Sequence, residues 1–117
     1  MLFLCYPKSS TCRKAQKWLD EHDVDYDIRD IKTDNPDLAE LELWHQASGL
    51  PLKKFFNTSG QLYRSLELSK KLPGMSDAEQ YALLASDGML VKRPILVTDD
   101  NKVLVGFKED QWAETLG

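Results

Sequence analysis

Cysteine is scarce in this chain, and that scarcity is the first constraint on what it does. Two cysteines, Cys5 and Cys12, among 117 residues exclude a disulfide-stapled scaffold. Histidine is as sparse: His22 and His45 are too isolated for a metal site, which needs three or four converging ligands. Positive charge is not in excess. With 15 Lys and Arg against 19 Asp and Glu the net charge is −4, which offers no electrostatic footprint for direct nucleic-acid binding or for an anionic membrane. Long apolar runs are missing as well, since no segment approaches the roughly 20 residues that a spanning helix needs. The apolar start, Met1 to Tyr6, ends at Pro7-Lys8 with no basic stretch before it, so it does not read as a signal peptide. These absences predict a cytoplasmic protein with no membrane segment. Internal repeats and low-complexity segments are absent too.

What is present suits one folded domain over residues 1–117. That length lies in the range of about 100–150 residues common for a domain, which excludes a two-domain enzyme. At 42% hydrophobic and 29% charged, the composition supports one modest core.

Patterning then gives an order of elements. The apolar run Leu2–Tyr6, closed by Pro7, predicts a strand buried on both faces. Ser9-Ser10-Thr11 offer N-caps to a helix over Cys12–His22, with Cys12, Ala15 and Leu19 on one stripe. Val24 to Ile31 alternates with a period of two, predicting a strand with one buried face, parallel to the first through a right-handed crossover. Asn35-Pro36 reads as a cap with proline at the first helical position, opening a helix to Ala47 that Gly49 stops. Residues 50–75 read as short helices around the polar loop Asn57-Thr58-Ser59-Gly60. Ser76-Asp77-Ala78-Glu79 is a capping box for a helix to Ser86, ended by Asp87-Gly88. Ile95–Thr98 and Val103–Gly106 make a hairpin, and Glu109–Leu116 a last helix. The predicted fold class is α/β, with βαβ and ββα units around a mixed four-stranded sheet and a helical insert over about residues 35–90.

Chemistry in such a sheet belongs beyond the carboxyl ends of the strands, where helices begin. Here that is Pro7 to Arg13. A helix start offers free N–H groups and partial positive charge, which bind anions and favour a thiolate. Cys12 sits in that first turn beside Arg13 and Lys14, and two readings of it stay open: a reactive thiol, or a small buried hydrophobe on the Ala15–Leu19 stripe. Cys5, inside the first strand, reads as a core residue. Trp18, Trp44 and Trp112 read as packing residues rather than a binding box.

Four stretches taken together resemble the arsenate reductase (ArsC)/Spx/MgsR family: Cys5 to Ala15, Lys53 to Gly60, Lys92-Arg93-Pro94, and Val105 to Asp110. The resemblance spans nearly the whole chain in the right order. It implies a thioredoxin-like fold with a helical insertion, and a cis-proline at Pro94. It also implies that Ser9 stands where active members carry the nucleophilic cysteine, and that Cys12 matches the second, resolving cysteine. A serine hydroxyl forms no disulfide, so Ser9 and Cys12 do not make a dithiol couple, which argues against arsenate as substrate. Of the places where such reductases hold an oxyanion with arginines, Arg93 is retained, while the others fall on Asn57 and near Phe107-Lys108. The resemblance implies a thiol-disulfide oxidoreductase with no cofactor, served by glutathione, thioredoxin or glutaredoxin. The alternative is a Spx-like regulator that binds the C-terminal domain of an RNA polymerase α subunit and makes no direct nucleic-acid contact.

Overall fold

A computed structural model describes residues 1–116, and it shows a mixed four-stranded sheet in the order β2-β1-β3-β4. The strands are β1 (Leu2–Cys5), β2 (Asp27–Asp30), β3 (Ile95–Val97) and β4 (Val103–Val105). β1 pairs with β2 in parallel and with β3 antiparallel, and β3 pairs with β4 antiparallel. The helices are α1 (Ser10–Glu21), α2 (Leu38–Ser48), α3 (Gln61–Ser65), α4 (Leu68–Lys71), α5 (Asp77–Ser86) and α6 (Glu109–Leu116).

Side-chain alternation along the strands divides the interior into two cores. Phe3, Cys5, Leu96 and Leu104 point to the face covered by α1 and α6, where they meet Cys12, Ala15, Leu19 and Trp112. Leu4, Ile95 and Val103 point the other way, against Leu41 and Trp44 of α2 and Leu84 of α5. The central strand is therefore buried on both faces, as its unbroken apolar run predicts. Trp18, Trp44 and Trp112 are all buried.

Two local expectations change. The alternating stretch from Val24 forms a strand only over Asp27–Asp30, and it has no buried face: Ile28 is 55% exposed, and burial resumes at Ile31. β2 is an edge strand, and its charged residues discourage pairing with another chain. The cap of α2 is Asp37 rather than Asn35. Asp37 accepts the Glu40 N–H at 2.8 Å and Glu40 accepts the Asp37 N–H at 3.1 Å, while the Asn35 side chain instead donates to the Ala85 carbonyl at 2.7 Å. Pro36 therefore precedes the helix instead of starting it. The capping box at Ser76 and the span of α6 are as predicted.

The segment leading to the hairpin is tied to the helical region. Asn57 donates its N–H to the Leu90 carbonyl at 2.8 Å, and Lys92 donates to the Phe55 carbonyl at 2.7 Å. Gly88 sits so close to the end of β2 that an added Cβ would lie 1.7 Å from the Ile31 carbonyl oxygen.

Candidate functional site

The turn between β1 and α1 brings the predicted residues into a small frame. Ser9 donates its N–H to the Tyr6 carbonyl at 2.9 Å, closing the turn. Its backbone is extended (φ −80°, ψ 128°), and its Oγ accepts the Cys12 N–H at 3.4 Å, so Ser9 is the N-cap of α1. Cys12 is thereby fixed in the first turn. Its Sγ lies 3.2 Å from the Tyr6 amide nitrogen, which donates to it. The thiol is only 1% exposed and belongs to the α1-side core with Ala15 and Leu19. Of the two readings of Cys12, the structure shows the burial on the Ala15–Leu19 stripe, and it places the thiol in the first turn of α1.

Cys5 lies on the same side of the sheet at 2% exposure, and both cysteines are free. Burial pushes the Cys5 thiol up to about 11, with the neighbouring Cys12 sulfur and Asp30 carboxylate adding to the effect. At neutral pH it is a protonated core thiol.

Arg93 reaches the same frame from the other side. Its guanidinium carbon sits 5.1 Å from the centroid of the Tyr6 ring, a cation–π contact. Its Nη1 is buried and has no hydrogen-bond partner among the described residues. Such a donor is costly to leave unpaired, and a small anion would satisfy it. The Arg93–Pro94 bond is cis, Pro94 is buried, and its carbonyl accepts the Gly106 N–H at 2.8 Å. Tyr6 thus joins Cys12 to Arg93. It was not singled out from the sequence, although its place directly after the first strand was the available signal.

Two other predicted residues stand elsewhere. Asn57 is buried, its Oδ1 accepts the Ser59 hydroxyl at 3.3 Å, and its amide packs beneath Gly60, so its side chain braces the 57–60 loop. Lys108 is exposed at the start of α6, on the wall of a separate cleft that it shares with Lys92 and Lys54. His22 is engaged locally, stacked on Trp18 with ring centroids 3.9 Å apart. His45 has its Nδ1 2.5 Å from the Tyr81 hydroxyl.

The model of the ArsC family matches residues 4–115. The chain belongs to the ArsC family. Among its relatives, the uncharacterized protein YusI of Bacillus subtilis is 56% identical over 114 residues, covering 97% of this chain and 96% of YusI. An ArsC family related protein from Bacteroides fragilis has a crystal structure that superposes with a TM-score of 0.93 at 57% identity, covering 97% and 94% of the two chains. A possible arsenate reductase from Streptococcus mutans gives 0.87 at 48% identity, covering 96% of each chain. More distant ArsC-family relatives include the global transcriptional regulator Spx of Staphylococcus epidermidis at 27% identity, covering 90% of this chain and 78% of Spx. The regulatory protein MgsR of Bacillus subtilis is 28% identical, covering 92% and 82%. The fold is the thioredoxin-like one of these ArsC-family structures. No helix among the described residues is long and apolar enough to cross a membrane.

Proposed function

We propose that this ArsC-family protein is a thiol-disulfide oxidoreductase that works through the single thiol of Cys12 and does not reduce arsenate. The observation that carries this reading is the Tyr6 amide aimed at the Cys12 sulfur, with the unpaired Nη1 of Arg93 across the same tyrosine ring. The Tyr6 N–H is directed at that sulfur at 3.2 Å, in the first turn of α1. Arg93 supplies positive charge for an anionic group on the incoming molecule.

Ser9 caps the helix and gives no second sulfur, so exchange runs through one cysteine. The Cys12 thiolate attacks one sulfur of a substrate disulfide R–S–S–R′. The S–S bond breaks, Cys12–S–S–R forms, and R′–S⁻ leaves and takes up a proton. A second thiol, R″–SH, then loses its proton and attacks the sulfur of R, which releases Cys12 as thiolate and yields R–S–S–R″. Glutathione, thioredoxin or glutaredoxin fits the role of R″–SH. Because Cys12 is 1% exposed, the exchange depends on local opening of the turn at Pro7–Ser10.

The test is to incubate a Cys5→Ala variant with glutathione disulfide and locate the adduct by mass. A mixed disulfide at Cys12, reversed by added thiol, is the expected result. Absence of any adduct at Cys12 under conditions that modify an ordinary exposed cysteine overturns the reading. The regulator alternative draws on relatives at 27% and 28% identity, and we do not favour it. Retention of this chain on the C-terminal domain of an RNA polymerase α subunit would restore it.

A further inference from the structure

A cleft of about 490 Å³ lies between the 50–58 segment and the end of β4. Its charged lining consists of Lys53, Lys54, Lys92 and Lys108, with no carboxylate, in a chain whose net charge is −4. None of these four lysines takes part in an ion pair among the described residues. Like charges gathered around a concavity repel one another and hold a positive potential that a bound anion relieves. We infer that this cleft is a binding site for a small molecule that joins a flat apolar ring to two or more negative charges, of the kind found in a nucleoside diphosphate.

The walls favour a ring, with Phe107 half-buried at the surface of the cleft and Phe56, 1% exposed, behind it. Phe56 and Phe107 line the cleft together with Leu50 and Val105, and apolar walls with a few placed polar groups are the pattern of small-molecule sites. A volume of that size also exceeds what one phosphate-sized ion fills, and four ammonium groups exceed what one carboxylate neutralises. Thr11 and Thr58 add hydroxyl groups at the rim.

Both walls are held in place without a ligand. The Phe107 ring packs edge-on against Trp112 at 4.9 Å, and the Trp112 indole N–H donates to the Gly106 carbonyl at 3.1 Å. Gly106 has φ 75°, a left-handed backbone that favours glycine, and an added Cβ would meet Lys92 Cε at 3.3 Å. The bare glycine lets the Lys92 chain pass beside it. On the other wall, Phe56 bridges to Val91 and is anchored by the Lys92–Phe55 hydrogen bond. Walls fixed in this way lower the ordering cost of binding.

The inference is independent of the thiol reading, because neither Cys12 nor Arg93 lines the cleft. It is tested by NMR amide titration of the full chain with ADP at about 50 mM salt, where charge is weakly screened. Adenosine serves as the ring without charge, and pyrophosphate as the charge without ring. Saturable shifts at Lys54, Gly106 and Lys108, with ADP binding at least about tenfold tighter than either control, are expected. A Lys54→Gln, Lys108→Gln double variant should weaken ADP by about tenfold or more, while Cys12→Ala leaves it unchanged. No saturable shift, pyrophosphate binding as tight as ADP, or shifts centred on Arg93 instead of the cleft each overturn the inference. A single-stranded oligonucleotide that binds the cleft while ADP does not overturns it as well.

Discussion

The Tyr6 amide nitrogen stands 3.2 Å from the sulfur of Cys12, joining the last turn of backbone after β1 to the first turn of α1. The contact places a thiol where a strand ends and a helix begins, and it puts the Tyr6 ring under the Arg93 guanidinium. Ser9 holds this junction together with Cys12, since its hydroxyl caps the helix that carries the thiol.

Replacing that cap tests its worth. Ser9→Ala removes the acceptor of the Cys12 N–H and should cost about 1 kcal/mol in urea denaturation. Ser9→Cys, made with Cys5→Ala, puts a second sulfur one helical turn before Cys12. Mild oxidation should then protect Cys12 from alkylation in the variant and not in the Cys5→Ala parent. Equal protection in both would show that the Ser9 position has no access to Cys12.

The buried Cys5 thiol makes stability fall in alkali. Its ordinary value of 9.0 is raised to about 11, so between these limits the unfolded chain loses a proton that the folded chain keeps. Stability contributed by the neutral thiol is full below about pH 9 and is lost as pH rises through about 11. Wild type should lose up to about 2–3 kcal/mol more than Cys5→Ala over that window, read from urea melts at several pH values. Parallel pH profiles of the two proteins would contradict it.

The opposite sign holds at Glu40. Arg29 donates to both of its carboxylate oxygens, at 2.6 and 2.9 Å, and holds Glu40 below its ordinary 4.5, with the Asp37 N–H adding to this. That contribution is present above about pH 4.5 and is lost as pH falls through the depressed value. Glu40→Gln should destabilise by about 1–2 kcal/mol at pH 7, and the gap from wild type should narrow as pH falls below 4.5. A gap that persists unchanged in acid would assign the effect to packing alone.

Gly88→Ala should be far more damaging than its size suggests. The new methyl would lie 1.7 Å from the Ile31 carbonyl oxygen, a backbone atom that cannot swing aside. A loss upwards of about 2 kcal/mol, seen as a lower Tm, is expected, whereas Gly74→Ala, with open space around it, should change little. Similar Tm values for the two variants would mean that the end of β2 yields.

Local rules were enough for most of the architecture. The apolar run of β1, the capping box at Ser76 and the Asp- and Asn-rich turn of the hairpin each encode their element through neighbours a few residues apart. Where local signals competed, tertiary contacts chose. The alternation from Val24 meets no second layer at the sheet edge, so Ile28 stays exposed. Asn35 is drawn to the Ala85 carbonyl, fifty residues away, which leaves the cap to Asp37.

The sequence by itself determined the order of strands and helices, the helix start that carries Ser9 and Cys12, and the family. Periodicity, capping and motif spacing are properties of neighbours along the chain. Only the tertiary structure decided which residues meet: that Tyr6 links Cys12 to Arg93, that Asn57 braces a loop, and that four lysines from three separate stretches surround one cleft. Those relationships depend on sheet pairing and on the crossover of the chain between the two cores, which bring together side chains that no local pattern connects.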